Sequence, residues 1–408
     1  MYDICIIGCG RVGLPLALSF REKGYSVIGY DLDVELKMKV DNGRMPFDEP
    51  QYEKLLNLYD DFTIVCSHIP EAKTYIITVG TPLGQHIETD TKAIESAIGN
   101  LVDSIDISNK NIILRSTVAP GTSRYLKKLI QNNTGKTSFN FGMCPERLAE
   151  GKAYEEIHSL PQIIGADTWE EQSEFCRYFD SFGVECLQTS LEEAELSKLF
   201  CNIFRYIHFA IPNYFAYIAE QFGVDAHHLL NTIKKDYPRA EELASPGFTG
   251  GTCLRKDFGM INEHFPQTDI ILQAYKINEF MPKFCVDLCL NNGIDLSNCR
   301  VGILGYTMKR DSDDVRDTLV IKLINYLKYY NTEIFVHEPN INSDYITDEQ
   351  NNFYNMNYSL DKVLNKTDII FVGTNHSDFD NLDIYQVPVV DLWNQINGQN
   401  KLIKNYNM

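Results

Sequence analysis

Short apolar runs alternate with helix-type patterns at both ends of the chain. In the first part, β-rich runs occupy residues 4–7, 26–30, 75–79, 111–114, 139–141 and 162–164. In the last part, they occupy residues 301–304, 333–336, 369–372 and 387–390. Strands that alternate with helices tend to pair in parallel and to be covered on both faces, so each end predicts a doubly wound α/β domain.

A long helical pattern separates these two ends. It extends from about residue 192 to residue 222 and stops before Gly223, a favourable residue at a helix C-terminus. The predicted fold class is therefore α/β, with two Rossmann-like doubly wound domains joined by a long central helix. The expected boundaries are residues 1–190 for the N-terminal domain, 191–296 for the central helical region and 297–408 for the C-terminal domain.

The charge balance of the chain disfavours several classes of partner. Lys and Arg total 37 against 56 Asp and Glu, which gives a formal net charge of −19. Such a protein repels polyanions, so we expect neither a nucleic acid nor a membrane as partner. No apolar run approaches the roughly 18 residues that span a bilayer, and no basic signal-peptide region is visible, so we expect a cytoplasmic protein. The eleven cysteines include no CxxC pair, so neither a disulfide framework nor a metal site is expected.

A glycine-rich loop follows the first predicted strand. It reads Gly8-Cys9-Gly10-Arg11-Val12-Gly13. Such a loop lets a pyrophosphate approach the backbone at the N-terminus of the next helix. Asp31 ends the second strand, where a carboxylate accepts hydrogen bonds from a ribose 2′-hydroxyl and repels a 2′-phosphate. A chance glycine turn would not explain the strand, the helix and the acid together, so NAD is the expected cofactor.

Polar residues also follow later strands, where open α/β sheets bind their ligands. Thr81 and Thr117 are expected near the nicotinamide half of the cofactor, unless they serve only as helix caps or turn residues. Glu146 and Glu150 follow the run at 139–141, and either one is a candidate general acid or base.

Cys253 stands out among the cysteines because three glycines precede it in the segment Pro246-Gly247-Phe248-Thr249-Gly250-Gly251-Thr252. This composition predicts an exposed thiol, and the N-terminus of a following helix would stabilise its thiolate form. Asp257 lies four residues later, on the same helical face, and Lys256 adds a neighbouring cation. A plain surface loop is the alternative interpretation.

A third group of polar residues lies on the long helix. Lys198, Asn202 and Arg205 follow the spacing i, i+4 and i+7 and therefore share one face. A lysine and an amide placed there can hold an oxyanion or a water molecule. A solvated polar stripe is the alternative, but the strongly apolar neighbours argue against it.

Together these segments resemble the UDP-glucose/GDP-mannose dehydrogenase family over nearly the whole chain. The matching segments, in the family's order, are GCGRVGLP, VGTP, STVAPGT, PERLAEG, AELSKLFCN, GGTCLRKD and the stretch from Lys309 to Arg316. In that family a long helix joins two Rossmann-like domains and forms the dimer core. The resemblance therefore implies a homodimer, and a C-terminal domain that binds a nucleotide sugar.

The resemblance also implies a four-electron oxidation that supplies precursors of surface polysaccharides. NAD⁺ oxidises the C6 alcohol of a nucleotide sugar, Cys253 captures the aldehyde as a thiohemiacetal, and a second NAD⁺ oxidises this adduct to a thioester that water hydrolyses to the uronate. By the same resemblance, Lys198 and Asn202 stabilise oxyanions, and Asp257 acts on water together with Lys198. Glu146 matches the acid/base carboxylate, and Thr117 joins the catalytic group.

Further roles follow from the family's motifs. Glu150 borders both cofactor and substrate, and Lys256 and Arg316 approach NAD. Lys309 binds the substrate, and Arg239 reaches the substrate of the neighbouring subunit. The loop that wraps the sugar nucleotide comprises Glu242, Leu243, Ala244, Ser245, Pro246 and Gly250.

The sequence resembles two branches of the family that act on different hexoses, so the resemblance does not select one sugar. Arg147 and Arg205 resemble the UDP-N-acetylglucosamine and UDP-N-acetylmannosamine branches, whereas the pair Lys256 and Asp257 resembles the UDP-glucose branch. We favour an N-acetylhexosamine substrate, with a UDP-glucose 6-dehydrogenase as the alternative. A two-electron dehydrogenase of the hydroxyacid type, which needs no thiol, is a more distant alternative.

Overall fold

The computed structural model describes residues 1–82, 90–265, 269–347 and 353–397. The chain divides into two units, Met1–Cys201 with Gly259–Phe265, and Asn202–Phe258 with Pro266–Met408. The three domain boundaries expected from the sequence stay a prediction, since this division only separates two groups of internally packed residues.

The first unit contains the strands and helices of a doubly wound domain. In chain order its elements are β1 (Tyr2–Ile7), α1 (Gly13–Glu22), β2 (Val27–Tyr30), α2 (Val34–Asp41), α3 (Pro50–Leu58), β3 (Ile64–Val65), β4 (Ala72–Ile77), α4 (Lys92–Ser104), β5 (Asn111–Leu114), α5 (Thr122–Thr134), β6 (Asn140–Met143), α6 (Ala153–Ile157), β7 (Gln162–Ala166), α7 (Trp169–Asp180) and β8 (Cys186–Thr189). The predicted strands all occur, within a few residues of their expected limits.

The sheet of this unit has the order β3-β2-β1-β4-β5-β6-β7-β8. Its first six strands pair in parallel in the doubly wound arrangement. The predicted parallel pairing does not hold at one place, because β6 and β7 pair antiparallel, with Gly142 opposite Ala166. The chain between them starts and ends at the same edge, so residues 144–161 stay at the carboxyl edge of β6.

Helices on both faces of the sheet explain why its strands are continuously apolar. Ile4 and Ile6 of β1 point into one core cluster, whereas Cys5 and Ile7 point into the cluster on the opposite face. Successive side chains of a strand alternate between faces, so both sets must be apolar when both faces are covered. Polar side chains that could bind ligands are therefore expected in the segments that follow the strands, and not within the strands.

The long helix α8 (Leu191–Gln221) begins in the first unit, continues into the second from Asn202, and contains Pro212. The remaining elements are α9 (Ala226–Lys234), a 3-10 turn (Pro238–Ala240), α10 (Thr252–His264), α11 (Asp269–Asn291), β9 (Arg300–Leu304), α12 (Val320–Lys328), β10 (Glu333–His337), β11 (Tyr345–Thr347), β12 (Phe353–Met356), α13 (Leu360–Lys366), β13 (Ile369–Val372), a 3-10 turn (Ser377–Phe379) and β14 (Val389–Val390). Across the described ranges, no helix combines the length and the apolar character needed to cross a membrane.

A parallel sheet of order β10-β9-β13-β14 forms the core of the second unit. Val301 and Ile303 of β9 contribute to one apolar cluster, and Leu304 contributes to the other. A short antiparallel hairpin of β11 and β12 lies outside this sheet and was not predicted. The α/β fold class with two Rossmann-like sheets is confirmed.

A buried carboxylate organises the carboxyl edge of this second sheet. Glu338 follows β10 and is 1 % exposed, and its Oε2 accepts the N–H of Tyr306 at 2.7 Å. His376 lies with Nε2 3.0 Å from the same oxygen, and its Nδ1 accepts the N–H of Asp311 at 2.9 Å. Burial raises the pKa of Glu338, but the hydrogen bonds from His376 and from backbone N–H groups outweigh burial and hold it below 4.5.

A carboxylate with a lowered pKa stabilises the folded state above its ordinary pKa, and this contribution is lost as the pH falls through the folded value. We therefore expect the second unit to lose stability on acidification below about pH 4.5, the ordinary value for Glu338. Glu338→Gln should lower the free energy of unfolding at pH 7 by about 1–3 kcal/mol and weaken this pH dependence. Denaturant unfolding at pH 7 and pH 4 measures both effects.

The matched control is Glu333→Gln, at the exposed first residue of the same strand β10. Its effect should stay within about 0.5 kcal/mol at either pH. An unchanged pH dependence in the Glu338→Gln variant would contradict the assignment.

Candidate functional site

The glycine-rich loop after β1 has the geometry of a pyrophosphate site. A Cβ at Gly13, where α1 begins, would lie 1.9 Å from the carbonyl oxygen of Gly8, so only glycine permits this close approach of helix and strand. Gly10 faces open space, with no neighbouring atom within 4 Å of its Cβ position. Among the described residues no side chain caps the N-terminus of α1, which Val12 precedes, and its first turn has no acid. These features fit the expected cofactor, because a helix N-terminus favours an anion.

Asp31 contacts the glycine-rich loop directly. Its Oδ2 accepts the N–H of Cys9 at 2.6 Å, and its Oδ1 accepts the N–H of Asp33 at 2.9 Å. Arg11 stacks over the ring of Phe47, with its guanidinium carbon 5.3 Å from the ring centre. The acid at the end of β2 therefore also sets the position of the loop, a role that its spacing alone did not predict.

The structure brings Thr81 and Thr117 together at the carboxyl ends of β4 and β5. The hydroxyl of Thr81 donates to the carbonyl oxygen of Thr117 at 2.6 Å. Next to them, the hydroxyl of Ser116 donates to the carbonyl oxygen of Val79 at 2.7 Å. The two loops are thus joined at the edge that also carries the glycine-rich loop and Asp31.

Glu146 is held by a fully buried arginine that the sequence did not single out. The guanidinium of Arg115 contacts Glu146 Oε2 through Nε at 2.9 Å and through a terminal nitrogen at 2.8 Å. The other carboxylate oxygen of Glu146 accepts the N–H of Leu148 at 2.7 Å. Burial lowers the pKa of Arg115, but the charge of Glu146 and the neighbouring Cys144 raise it, and the net shift is upward. A buried carboxylate paired in this way has a fixed position and orientation.

The segment after Glu146 carries two further predicted residues. Arg147 donates from its guanidinium to the carbonyl oxygen of Pro161, and Glu150 is partly buried. Beside Glu150, the N–H of Gly151 donates to Glu49 Oε1 at 2.7 Å. Arg147 therefore supports the start of β7 as well as being a candidate substrate contact.

In the second unit, Asn202 and Asp257 form a buried pair. The amide nitrogen of Asn202 on α8 donates to Asp257 Oδ2 on α10 at 2.6 Å, and both side chains are buried. Cys253 lies four residues before Asp257, in the first turn of α10, and its thiol is exposed as the glycine-rich segment predicts. An exposed thiol beside a buried acid–amide pair can attack an electrophile and hold its product near an amide donor.

The three polar residues of α8 do not all face the interior. Lys198 and Asn202 are buried, in line with Tyr206 one turn later, whereas Arg205 is exposed. The expectation that Arg205 shares their non-solvated face is therefore wrong for the isolated chain. The buried stripe is centred nearer Asn202 and Tyr206, and the position i+7 lies at its edge.

The loop between α9 and α10 is exposed at its start and buried at its end. Arg239 is exposed and stacks on the ring of Tyr237 at 4.9 Å. From Glu242 to Ser245 the residues, Leu243 and Ala244 included, are exposed or partly exposed, whereas Pro246 is buried and Gly250 is partly buried. The N–H of Gly247 donates to the side-chain oxygen of Asn213 at 2.8 Å, which holds the buried end against α8.

The remaining predicted cations are partly buried. Lys309 follows β9, and its carbonyl oxygen accepts a hydrogen bond from the hydroxyl of Thr307 at 3.1 Å. Arg316 forms a two-point contact with Asp314, with Nε 2.8 Å from Oδ1 and a terminal nitrogen 2.6 Å from Oδ2. Lys256 lies on α10, directly before Asp257, and is also partly buried.

Two of these partners escaped the sequence analysis, although a signal was present. Arg115 directly follows the buried strand β5, and Asp314 is almost fully buried within an acidic loop. A charged residue directly after a buried strand must find a partner, and such a residue is a usable marker of the site edge.

Comparison with known proteins matches all three parts of the chain to domains of one family. The NAD binding domain of the UDP-glucose/GDP-mannose dehydrogenase family matches residues 2–182, its central domain matches residues 192–279, and its UDP binding domain matches residues 302–398. UDP-N-acetyl-D-mannosamine dehydrogenase of Pyrococcus horikoshii is 28% identical over 392 residues, which cover 92% of this chain and 90% of the relative.

Solved structures agree with this assignment. The UDP-D-ManNAc dehydrogenase of Pyrococcus horikoshii superposes with a TM-score of 0.86 at 25% identity, over 97% of this chain and 98% of that one. For the fold alone, a UDP-glucose dehydrogenase of Pyrobaculum islandicum superposes with a TM-score of 0.85 at 23% identity, over 99% and 98%. Because all three domains of the family are matched in order, the chain belongs to the UDP-glucose/GDP-mannose dehydrogenase family and is an NAD-dependent nucleotide-sugar dehydrogenase.

Proposed function

We propose that this enzyme oxidises the C6 alcohol of a UDP-hexose to the uronate by four electrons, through a thioester on Cys253. The observation that carries the proposal is the group on α8 and α10. Exposed Cys253 lies one helical turn before buried Asp257, which accepts a hydrogen bond from Asn202 at 2.6 Å. A nucleophile, an amide donor and a carboxylate are the groups that acyl chemistry on a thiol requires.

The loop from Gly8 to Gly13 and Asp31 would hold NAD⁺, which would supply one hydride acceptor for each of the two oxidations. After the first oxidation, Cys253 Sγ adds to the aldehyde carbon, and Lys198 and Asn202 stabilise the resulting oxyanion. Loss of a hydride from that carbon leaves a thioester. Water, positioned by Asp257 with Lys198, then adds to the thioester carbon and releases the uronate and the free thiol.

The residues of the first unit act on the alcohol and the cofactor. Glu146, oriented by Arg115, serves as the acid/base carboxylate, and Thr117 lies with Thr81 near the nicotinamide. Glu150 borders cofactor and substrate, and Arg316 and Lys256 approach the cofactor. The loop from Glu242 to Gly250 and Lys309 hold the nucleotide sugar. Lys309 lies within the residues 302–398 that match a UDP binding domain, and this match supports its role.

An N-acetylhexosamine is the favoured substrate. The names of several relatives, together with Arg147 and Arg205, support UDP-N-acetylmannosamine or UDP-N-acetylglucosamine. UDP-glucose is the second candidate, because Lys256 and Asp257 form the pair typical of that branch. In either case the product is a nucleotide uronate suited to the synthesis of surface polysaccharides.

The active assembly is a homodimer formed by α8. Exposed apolar side chains repeat along one side of this helix at spacings of three, four and seven residues, namely Phe200, Phe204, Ile211, Phe215 and Ile218, and Phe222 follows directly after its end. Phe204 is 65 % and Phe222 is 80 % exposed. A contiguous apolar face of this size is typical of an interface between subunits, and Arg239 would reach the neighbouring active site from such a dimer.

Replacing the thiol tests the thioester. Cys253→Ala should reduce kcat for uronate formation by more than about 10³-fold, because no acyl intermediate can form, while NAD binding persists. The wild type should form two NADH per sugar in the same spectrophotometric assay. Cys201→Ala, which removes the other exposed cysteine, is the matched control and should keep full activity. Full turnover by Cys253→Ala, or one NADH per sugar in the wild type, would reject the proposal.

A substrate panel tests the choice of sugar. With UDP-N-acetylmannosamine, UDP-N-acetylglucosamine, UDP-glucose and GDP-mannose, we expect an N-acetylated sugar to have the highest kcat/KM, by at least about 10-fold. NADH formation under initial-rate conditions measures it. A preference for UDP-glucose would refute the choice of sugar and leave the thioester mechanism standing.

A charge on the exposed face of α8 tests the dimer. Phe204→Asp should shift the protein from dimer to monomer at micromolar concentration, because it places an unpaired charge within an apolar interface. Sedimentation velocity reports the mass. Tyr329→Asp is the matched control, since this side chain, at the C-terminal end of α12, is 85 % exposed. A wild-type monomer at the same concentration would contradict the proposed dimer.

A further inference from the structure

Arg255 joins the first turn of α10 to two other elements of the second unit. Its Nε lies 2.8 Å from Glu279 Oε1 on α11, and a terminal nitrogen lies 2.7 Å from Asp317 Oδ1, before α12. Arg255 is only two residues after Cys253. The turn that carries the thiol is therefore connected by charge to both α11 and the loop before α12.

Asp317 also contacts the chain on the other side of the thiol. It has a positive φ of 50°, which is rare outside glycine, and its carbonyl oxygen accepts the N–H of Gly251 at 3.1 Å. Gly251 has a φ of 101°, which an L side chain rarely adopts. A Cβ at Gly250 would lie 3.0 Å from the same carbonyl oxygen. Asp317 thus contacts the chain on both sides of Cys253. Its carbonyl oxygen holds Gly251, two residues before the thiol, and its carboxylate holds Arg255, two residues after it.

The far end of this contact is also fixed. Glu279 is 8 % exposed and pairs with Lys322 of α12 as well as with Arg255. Burial lowers the pKa of Lys322, and the positive charge of Arg255 lowers it further. The positive charges of Arg255 and Lys322 therefore balance the negative charges of two carboxylates, Glu279 and Asp317. The planar guanidinium of Arg255 addresses Glu279 and Asp317 through different nitrogens held at fixed angles, a geometry that an ammonium does not provide.

We propose that Arg255 is a positioning residue for the second half of the reaction. With Glu279 and Asp317 it forms the Cys253 clamp, which holds the thiol where the aldehyde carbon must arrive. The inference rests on the proposed thioester role of Cys253. Asp317 directly follows Arg316, a candidate cofactor contact, so the clamp also ties the thiol to the loop that carries this arginine. The first oxidation, that of the alcohol, does not need the thiol, so the clamp does not affect its rate.

Rapid mixing of enzyme, NAD⁺ and UDP-sugar separates the two oxidations in the full-length protein. In Arg255→Met we expect the first equivalent of NADH at the wild-type rate and the second slowed about 10- to 100-fold, because a misplacement of about 1 Å costs this much. The steady-state kcat should fall equally, with KM for the sugar changed less than about threefold. Loss of structure alone would instead lower the melting temperature and slow both phases together.

Two further variants keep the test decisive. Asp317→Asn removes the carboxylate but retains the carbonyl that accepts Gly251, and it should slow the second phase as Arg255→Met does, even if the latter fails to fold. The double variant should be no slower than Arg255→Met alone, since both remove the same contact. Lys328→Met, at an exposed position of the same helix α12 and outside the clamp, is the matched control and should leave both phases unchanged.

The outcomes separate this inference from the proposed function. An unchanged second phase in both Arg255→Met and Asp317→Asn would overturn the positioning role while the loss of activity in Cys253→Ala stands. Additive effects in the double variant would also overturn it. An active Cys253→Ala enzyme would instead remove the thioester on which the inference rests.

Discussion

Parallel pairing of strands is the constraint on which both Rossmann-like units depend. In the first unit β1 pairs in parallel with β2 and β4, and in the second β9 pairs in parallel with β10 and β13. Parallel strands bring their carboxyl ends to one edge, so residues far apart in sequence meet there without any direct signal between them. Helices cover both faces of each sheet and require apolar strands. The edge is then where polar groups can collect.

Several buried polar side chains are paired, both at these edges and between the helices α8 and α10. Arg115 holds Glu146, Asn202 holds Asp257, and Glu338 accepts from backbone N–H groups and His376. A buried charge without a partner would cost several kcal/mol, so each pair must form for the chain to fold. The same requirement gives these side chains single, rigid positions. Rigid donors and carboxylates are what a reaction that develops charge needs, because they do not have to reorganise during turnover.

The cysteines show how environment, rather than residue type, decides reactivity. Cys5, Cys9, Cys144 and Cys285 are buried, and burial raises the pKa of each thiol, so they behave as small core side chains. Cys253 is exposed in the first turn of a helix, between glycines and a buried carboxylate. Solvent access and local backbone geometry, which the preceding glycines set, distinguish the one thiol to which the chemistry is assigned.

Sequence by itself determined most of the strands, the long helix, the glycine-rich loop, the acid at Asp31 and the exposure of Cys253, because each depends on residues close together in the chain. Only the tertiary structure decided the partners, since Arg115 and Glu146 are 31 residues apart, Asn202 and Asp257 are 55, and Arg255 and Asp317 are 62. It also decided the antiparallel direction of β7 and the exposure of Arg205. These features depend on how helices and strands pack, and local periodicity carries no information on which distant group satisfies a buried charge.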